Sequence, residues 1–231
     1  MKICVVIPAY NEAKVIKKVI SDSYKIFNKS KYKIDIIVIN DGSSDNTSSE
    51  ASSAGALVID HILNSGAGGA TATGLSFANQ NNYDIAITMD ADGQHSPKDI
   101  LKGIDFAIKN KIDLAIGSRL IDSKGMSKVK VLGNKGLSFI TYLLFNVSVT
   151  DSQSGLRVYS KAALEKLRWK TSGYEFCSEM IWRAKQLELK IDEYPIQAIY
   201  TDYSRSKGQN NWNAINIIKS LLARRISEIF E

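Results

Sequence analysis

The sequence predicts an α/β protein with an open, mostly parallel sheet, helices on both of its faces, and a C-terminal amphipathic helix. Three observations carry this. Apolar runs without internal alternation recur through the first half, as strands buried on both faces require. Segments with apolar residues near helical spacing separate those runs, which gives a βαβ rhythm. Three of the runs end in polar, carboxylate-bearing turns, and open α/β sheets bind ligands beyond the carboxyl ends of their strands.

The elements follow in order. Residues 2–8 are a continuous apolar run that Pro8 ends, and residues 12–27 place Val15, Val19 and Ile26 near helical spacing. Residues 34–40 read as a second buried strand, broken by Asp41-Gly42. Residues 44–53 read as a short helix with a polar start, 57–62 as a strand, and 67–81 as a helix rich in Ala and Gly. Residues 85–89 give a fourth strand, 97–109 a helix with Pro97 in its first turn, and 114–117 a fifth strand. The second half is less regular. Residues 122–135 are polar and basic, with Lys124, Lys128, Lys130 and Lys135, and an apolar helix is expected over 137–147. A loop over 150–155 precedes helices over 161–167 and 175–187. Residues 191–200 read as a strand, and Pro195 argues for an edge position. A polar loop over 202–211 leads to an amphipathic helix over 214–230. That helix carries Ile215, Ile218, Leu222, Ile226 and Ile229 on one face and Lys219, Arg224 and Arg225 elsewhere. No repeat or linker divides the chain, so one domain is expected over 1–231.

Composition narrows the class. With 231 residues, 44% hydrophobic and 23% charged, the chain is neither disordered, collagenous nor a disulfide scaffold. Cys4 lies in an apolar strand, so Cys4 and Cys177 are expected as reduced thiols in a cytoplasmic protein. No stretch reaches the roughly 18 to 20 apolar residues of a membrane span. The net charge of +6 is uneven: residues 1–115 hold 12 basic and 13 acidic side chains, residues 116–231 hold 18 and 11. The second half thus faces either solvent or something anionic: nucleic acid, a phosphate-bearing substrate or a membrane surface. No nucleic-acid-binding motif or aromatic-laced basic stripe is present, so nucleic acid is not an expected partner.

Several clusters could carry chemistry. In Asp90-Ala91-Asp92 two carboxylates follow an apolar strand, and Gln94 and His95 lie just beyond. Such a pair can share a hard divalent cation with substrate phosphates, or it can be an ordinary turn. Asp41-Gly42-Ser43-Ser44-Asp45-Asn46-Thr47 can receive a ribose or base, or cap a helix. The glycines 66, 68, 69 and 74 do not complete a dinucleotide fingerprint, because Thr71 stands where the third glycine is needed. Gly117-Ser118-Arg119, the segment from Asp151 to Arg157, and Arg205 with Lys207 place cations suited to phosphate in the basic half.

Together with Pro8-Ala9-Tyr10-Asn11-Glu12 and Thr150-Asp151-Ser152-Gln153-Ser154-Gly155-Leu156-Arg157, these motifs stand in the order seen in family-2 glycosyltransferases. The chain most resembles the polyprenyl-phosphate sugar transferases over roughly residues 1–210. The resemblance implies a GT-A fold, a nucleotide-sugar donor, Mg²⁺ or Mn²⁺, and inversion at the anomeric carbon. It implies that Pro8, Tyr10 and Glu12 border the nucleotide and that Asp41 binds its base or ribose. Asp90 would contact the donor, and Asp92 and Gln94 would hold the metal beside it. Arg119, Arg157, Arg205 and Lys207 would bind phosphate, and Asp151 would stand at the reaction centre. Residues 1–118 would then be the donor half, 119–211 the acceptor half and 212–231 the amphipathic helix. The glycine-rich segment has Ala72 where many relatives carry Lys or Arg, which leaves the sugar open.

The acceptor class decides the chemistry expected of Asp151. A polyprenyl phosphate is already anionic near neutral pH and needs positioning more than deprotonation. A glycan hydroxyl needs a base, with Asp151 first and Glu175 and Glu179 behind it. The basic second half favours the phosphate. A lipid acceptor also implies peripheral attachment to a membrane surface or to a membrane-anchored partner, through the basic segment, the helix after it and the C-terminal helix.

Overall fold

The computed structural model describes residues 1–200, residue 203 and residues 212–229. The first half alternates β1 (Ile3–Ala9), α1 (Ile16–Phe27), β2 (Ile34–Asn40), α2 (Thr47–Ser53), β3 (Leu57–Asp60), α3 (Gly66–Gln80), β4 (Ile85–Thr88), α4 (Pro97–Asn110) and β5 (Leu114–Ser118). The second half adds α5 (Lys128–Phe145), β6 (Arg157–Ser160), α6 (Lys161–Lys166), α7 (Phe176–Gln186), β7 (Ile191–Pro195) and α8 (Trp212–Ile229).

The strands form one sheet in the order β3-β2-β1-β4-β6-β5-β7. All pairs are parallel except those of β6, which runs antiparallel to β4 and β5. Successive residues of β1 serve opposite faces. Ile3, Val5 and Ile7 join α1, α2 and α4 in one core. Cys4 and Val6 join α3, α5, α6, α7 and α8 in the other. The unbroken apolar runs are thus strands covered on both sides, as the sequence predicts.

Two elements differ from the sequence reading. The strand β6 was not expected, because Arg-Val-Tyr-Ser has neither an apolar run nor clear alternation. Its position between β4 and β5 is what reverses the sheet there. The helix α5 begins at Lys128, nine residues before the expected start at Leu137. Ser127 caps it by accepting the Lys130 N–H, and the lysine-rich stretch forms its first turns rather than a loop. Smaller shifts occur in α1, which starts at Ile16 after a turn closed on the Glu12 carbonyl, and in β7, which stops at Pro195. Pro195 does lie on an edge strand.

The C-terminal helix packs differently from the expected apolar face. Among the described residues, its Ile217, Leu221 and Arg224 are buried, while Leu222 and Ile226 are exposed. Arg183, Arg224 and Arg225 stack around Trp182 of α7, and Trp182 stacks on Phe145 of α5. Glu179 accepts from Arg224 Nε at 3.0 Å, and Glu228 pairs with both Arg183 and Arg224. Ion pairs and cation–π contacts therefore seat α8 on α7.

Candidate functional site

The register aligns the strand ends. Ala9 lies opposite Asn40 and Val6 opposite Thr88, so the segments after β1, β2 and β4 emerge on one edge. Because β6 runs the other way, its first residue, Arg157, lies opposite both Thr88 and Ile116. The loop from Asp151 to Leu156 therefore enters on that same edge. This reversal brings the motifs of both halves together.

At the β1–β2 end, the Asn11 N–H donates to Ser43 Oγ, and Asn11 Oδ1 accepts the Ser44 N–H. The Glu12 N–H donates to Thr47 Oγ1, and Glu12 Oε2 accepts the Tyr203 hydroxyl at 2.8 Å. Pro8 is partly buried, and Tyr10 is exposed beside these loops. Asp41 is buried and occupied. Its Oδ1 accepts from the Ser65 N–H and hydroxyl and faces His61 Nδ1 at 2.7 Å, while its Oδ2 accepts the Gly66 N–H at 2.8 Å. Burial pushes this carboxyl up, but these hydrogen bonds outweigh it and hold Asp41 below the usual range. Asp41 thereby anchors the start of α3. Gly66 stands there at φ +82°, where a Cβ would lie 2.5 Å from the Ser172 carbonyl oxygen.

The β4 end holds the paired carboxylates. Asp90 keeps 54% of its side chain open to solvent. Its Oδ2 meets Nε2 of buried His95 at 3.0 Å, and Nδ1 of that ring has no hydrogen-bond partner among the described residues. Against the cost of desolvation, His95 and the charges of Arg119 and Arg157 hold Asp90 below its usual pKa. Asp92 moves the other way, pushed up by burial and then by the Asp90 charge. It accepts from the backbone and side-chain amides of Gln94. Gly155 makes room for this arrangement, since a Cβ there would run into the Asp90 carboxylate.

Two repelling carboxylates suit a cation between them. Among the described residues no group of three His, Cys, Asp or Glu gathers to cage a metal. A hard cation such as Mg²⁺ or Mn²⁺ completes its shell with phosphate oxygens and water, and needs only one or two carboxylates. The donor set of Asp90, Asp92 and the Gln94 amide fits that kind of site.

On the far side, Asp151 has no solvent exposure and forms a two-pronged pair with Arg119. Arg119 Nε reaches Oδ2 at 2.7 Å, Nη2 reaches Oδ1 at 2.9 Å, and the Arg119 N–H also donates to Oδ2. Among the described residues no acceptor takes Arg119 Nη1, and the side chain keeps 19% exposure. Burial disfavours the Arg119 charge, but Asp151 and then Asp90 more than offset this, and its pKa lies above the usual value. Tyr200 feels both Arg119 and Asp151, and Lys130 Nζ lies 4.3 Å from the centre of its ring.

Some residues do not stand where the resemblance implies. Arg157 is buried and spends its guanidinium on protein. Its Nε donates to the Ser154 carbonyl, its Nη1 to the Cys177 carbonyl and Met180 Sδ, and its Nη2 to the Ser152 carbonyl. It braces the loop rather than presenting donors to a phosphate, and reaches Asp90 only through its field. Glu179 is likewise consumed by Lys170, Thr171 and Arg224, which removes it as a base. Arg205 and Lys207 lie outside the described residues. Lys130, Glu193 and Tyr200 were not singled out from the sequence as parts of the site. Lone residues in a basic helix or a short strand carry no motif, and only the fold brings Glu193 and Tyr200 to Arg119 and Asp151 and sets Lys130 over the Tyr200 ring.

The chain is similar to known proteins over nearly its whole length. A UDP-N-acetylglucosamine–dolichyl-phosphate N-acetylglucosaminyltransferase of Methanococcus voltae is 40% identical over 99% of this chain and 98% of its own length. A polyprenol monophosphomannose synthase of Mycolicibacterium smegmatis is 27% identical over 94% of this chain and 83% of its own. In structure, glucosyl-3-phosphoglycerate synthase of Mycobacterium tuberculosis, crystallised with Mn²⁺, UDP and its product, aligns at a TM-score of 0.73. That alignment has 20% identity and covers 98% of this chain and 79% of that one, which establishes the GT-A fold. The model of glycosyl transferase family 2 matches residues 4–168, and to that family of glycosyltransferases the chain belongs.

Proposed function

We propose that this enzyme transfers a sugar from a nucleotide-sugar donor to a polyprenyl phosphate, with inversion, at the edge where β1, β2, β4 and β5 end. The observation that carries the reading is the division of charge across that edge. Asp90 keeps about half of its side chain open to solvent beside Asp92 on one side, and on the other Arg119 is locked to Asp151 through Nε and Nη2, with no acceptor for Nη1 among the described residues. UDP-N-acetylglucosamine is the first donor to test, because it is the donor named for the relative with 40% identity over nearly the whole of both chains. GDP-mannose and UDP-glucose are the next.

The residues divide the work. Pro8, Tyr10 and Glu12 border the nucleotide, and Asp41 fixes the α3 start beside it. Asp92, Gln94 and Asp90 would hold Mg²⁺ or Mn²⁺ against the diphosphate. Bound there, the cation would offset the charge that develops on the departing nucleoside diphosphate. Arg119 orients the acceptor phosphate, whose oxygen is already anionic and attacks without a base. Lys130, lying over the Tyr200 ring, extends this cationic side, and Arg205 and Lys207 are assigned to it by resemblance alone. Transfer to a glycan hydroxyl has less support, because both Asp151 oxygens are committed to Arg119 and the residue is fully buried.

A lipid acceptor is met at a bilayer. No helix among the described residues is long and apolar enough to cross one. The helix α5 exposes Val129, Leu132, Phe139 and Leu143, whose spacing places them on one face. Lys128 and Lys135 border that face, and an apolar stripe edged by lysines suits an anionic lipid surface. The chain would thus act as a peripheral protein. The test is turnover of labelled UDP-N-acetylglucosamine, GDP-mannose or UDP-glucose with Mn²⁺ and polyprenyl phosphate. Nucleotide binding without transfer from any of these donors would overturn the lipid-acceptor reading.

A further inference from the structure

Glu193 lies on the edge strand β7, opposite Ile116 of β5 and outside every motif considered above. Its Oε2 accepts the Thr150 N–H at 2.7 Å. Its Oε1 accepts the Thr150 hydroxyl at 2.8 Å and the Asp151 N–H at 3.1 Å. The Thr150 proton is committed to Glu193, so Ser118 must be the donor in the 2.6 Å contact between Ser118 Oγ and Thr150 Oγ1. Ser118 Oγ in turn accepts the Leu120 N–H. One carboxylate is therefore the terminal acceptor of a directed chain that runs from the Leu120 N–H through the Ser118 and Thr150 hydroxyls. The chain fixes both partners of the phosphate-facing ion pair: Asp151 through its own N–H, and Arg119 through the residues on either side of it.

We propose that Glu193 is a positioning residue for the transfer reaction, holding the Arg119–Asp151 pair in the one orientation that presents Arg119 to the acceptor phosphate. The inference rests on the role assigned to Arg119 in the proposed function. Its physical basis is that a guanidinium orients an anion only as well as its own carboxylate is held. Asp151 is held from behind by hydrogen bonds that only a two-oxygen acceptor can supply together. The edge strand thus serves the site without contributing a group that touches substrate. A misplacement of about 1 Å at such a distance from the reacting atoms can cost about a hundredfold in rate.

The test is Glu193→Gln in the full chain. The amide keeps the size but offers one acceptor oxygen and turns an N–H₂ toward donors. Turnover of UDP-N-acetylglucosamine with dolichyl phosphate should fall about ten- to a hundredfold, and the acceptor KM should rise. Calorimetric affinity for UDP with Mn²⁺ should stay within about twofold of wild type, because the chain ends on the acceptor side. Thr150→Val keeps both backbone donors and removes only the hydroxyl link. It should shift the same parameters in the same direction by less, and it serves where the Gln variant does not fold. Wild-type kcat and KM in a folded Gln variant, whatever its melting temperature, would overturn the proposal. Equal losses of donor affinity and turnover would also overturn it, since they mark a structural role. Arg119→Ala separates the two claims. If that variant still turns over normally, the assignment of Arg119 fails and the positioning role fails with it. If it is inactive while Glu193→Gln is normal, only the positioning role fails.

Discussion

The two sides of the catalytic edge use the same residue type in opposite ways. On the β4 side, Asp90 is half open to solvent, and burial and then the Asp90 charge push up the Asp92 pKa. On the β5–β6–β7 side, Asp151 and Glu193 are saturated by an arginine, backbone amides and a hydroxyl. Carboxylates left in mutual repulsion favour a ligand that brings positive charge. Carboxylates that are saturated have become part of the frame that aims a cation. On the proposed function, a bound cation would complete the first side, and the second would receive an anion.

The largest expected effect breaks the open side. Asp92→Asn removes one of two carboxylates and should lower turnover about a hundred- to a thousandfold, the scale seen when transition-state charge loses a partner. Initial rates titrated with Mn²⁺ would show it, and a chelator should silence the wild type until the cation is returned. A variant that works equally well without divalent metal would end the view of that side as a cation site. Next comes the aimed cation. Arg119→Lys should lose about tenfold or more in kcat/KM for the acceptor, because an ammonium cannot make the two-pronged pair with Asp151 and still offer a further donor. Steady-state rates at varied dolichyl phosphate measure this, and a normal Lys variant would mean that Arg119 supplies charge alone.

The same contrast explains what the sequence made legible. The donor side follows parallel strands, and its groups lie in short contiguous motifs such as Asp90-Ala91-Asp92. Each strand end could therefore be found from an apolar run and the polar turn after it. The other side is assembled by β6, a four-residue strand whose first residue is a buried arginine. No hydrophobic pattern announces such a strand, and without it neither the antiparallel reversal nor the partnership of Asp151 with Glu193 can be deduced. Arg157 shows the limit from the other direction. Its place in a motif suggests phosphate, but three carbonyls and a methionine sulfur surround it, and motif membership does not reveal that.

A smaller effect concerns the outer helices. Both α5 and α8 are amphipathic, but α8 seats a buried arginine on α7 while α5 leaves its apolar stripe open. Leu132→Glu with Phe139→Glu should weaken sedimentation with anionic vesicles about tenfold, since each change trades apolar burial for like charge. Turnover of a water-soluble short-chain polyprenyl phosphate should stay near wild type. Unchanged vesicle binding would move the membrane contact elsewhere, with Leu222 and Ile226 of α8 next in line.

The smallest effect is on stability, and it turns on a saturated carboxylate on the donor side. Asp41 is buried, and its hydrogen bonds to Ser65, Gly66 and His61 overcome the burial penalty and hold its folded pKa below that of an unfolded aspartate. A carboxyl with a depressed folded pKa contributes stability that is fully present above its unfolded value, about 3.9, and fades as pH falls toward the folded value. Glu179 shifts in the same direction and belongs to the same acid-sensitive set. Asp41→Asn leaves the shape but aims an amide at donors, and should cost about 1 to 3 kcal/mol at pH 7. For a chain of this size that lowers the melting temperature by roughly 2 to 4 °C per kcal/mol. The deficit should shrink as pH drops below about 4, because wild type then loses the same charge. Thermal melts of both proteins across that range check the sign. A deficit that stays constant through acid would mean that Asp41 contributes by shape and packing. In that case the likeness between Asp41 and the saturated carboxylates across the site would fail.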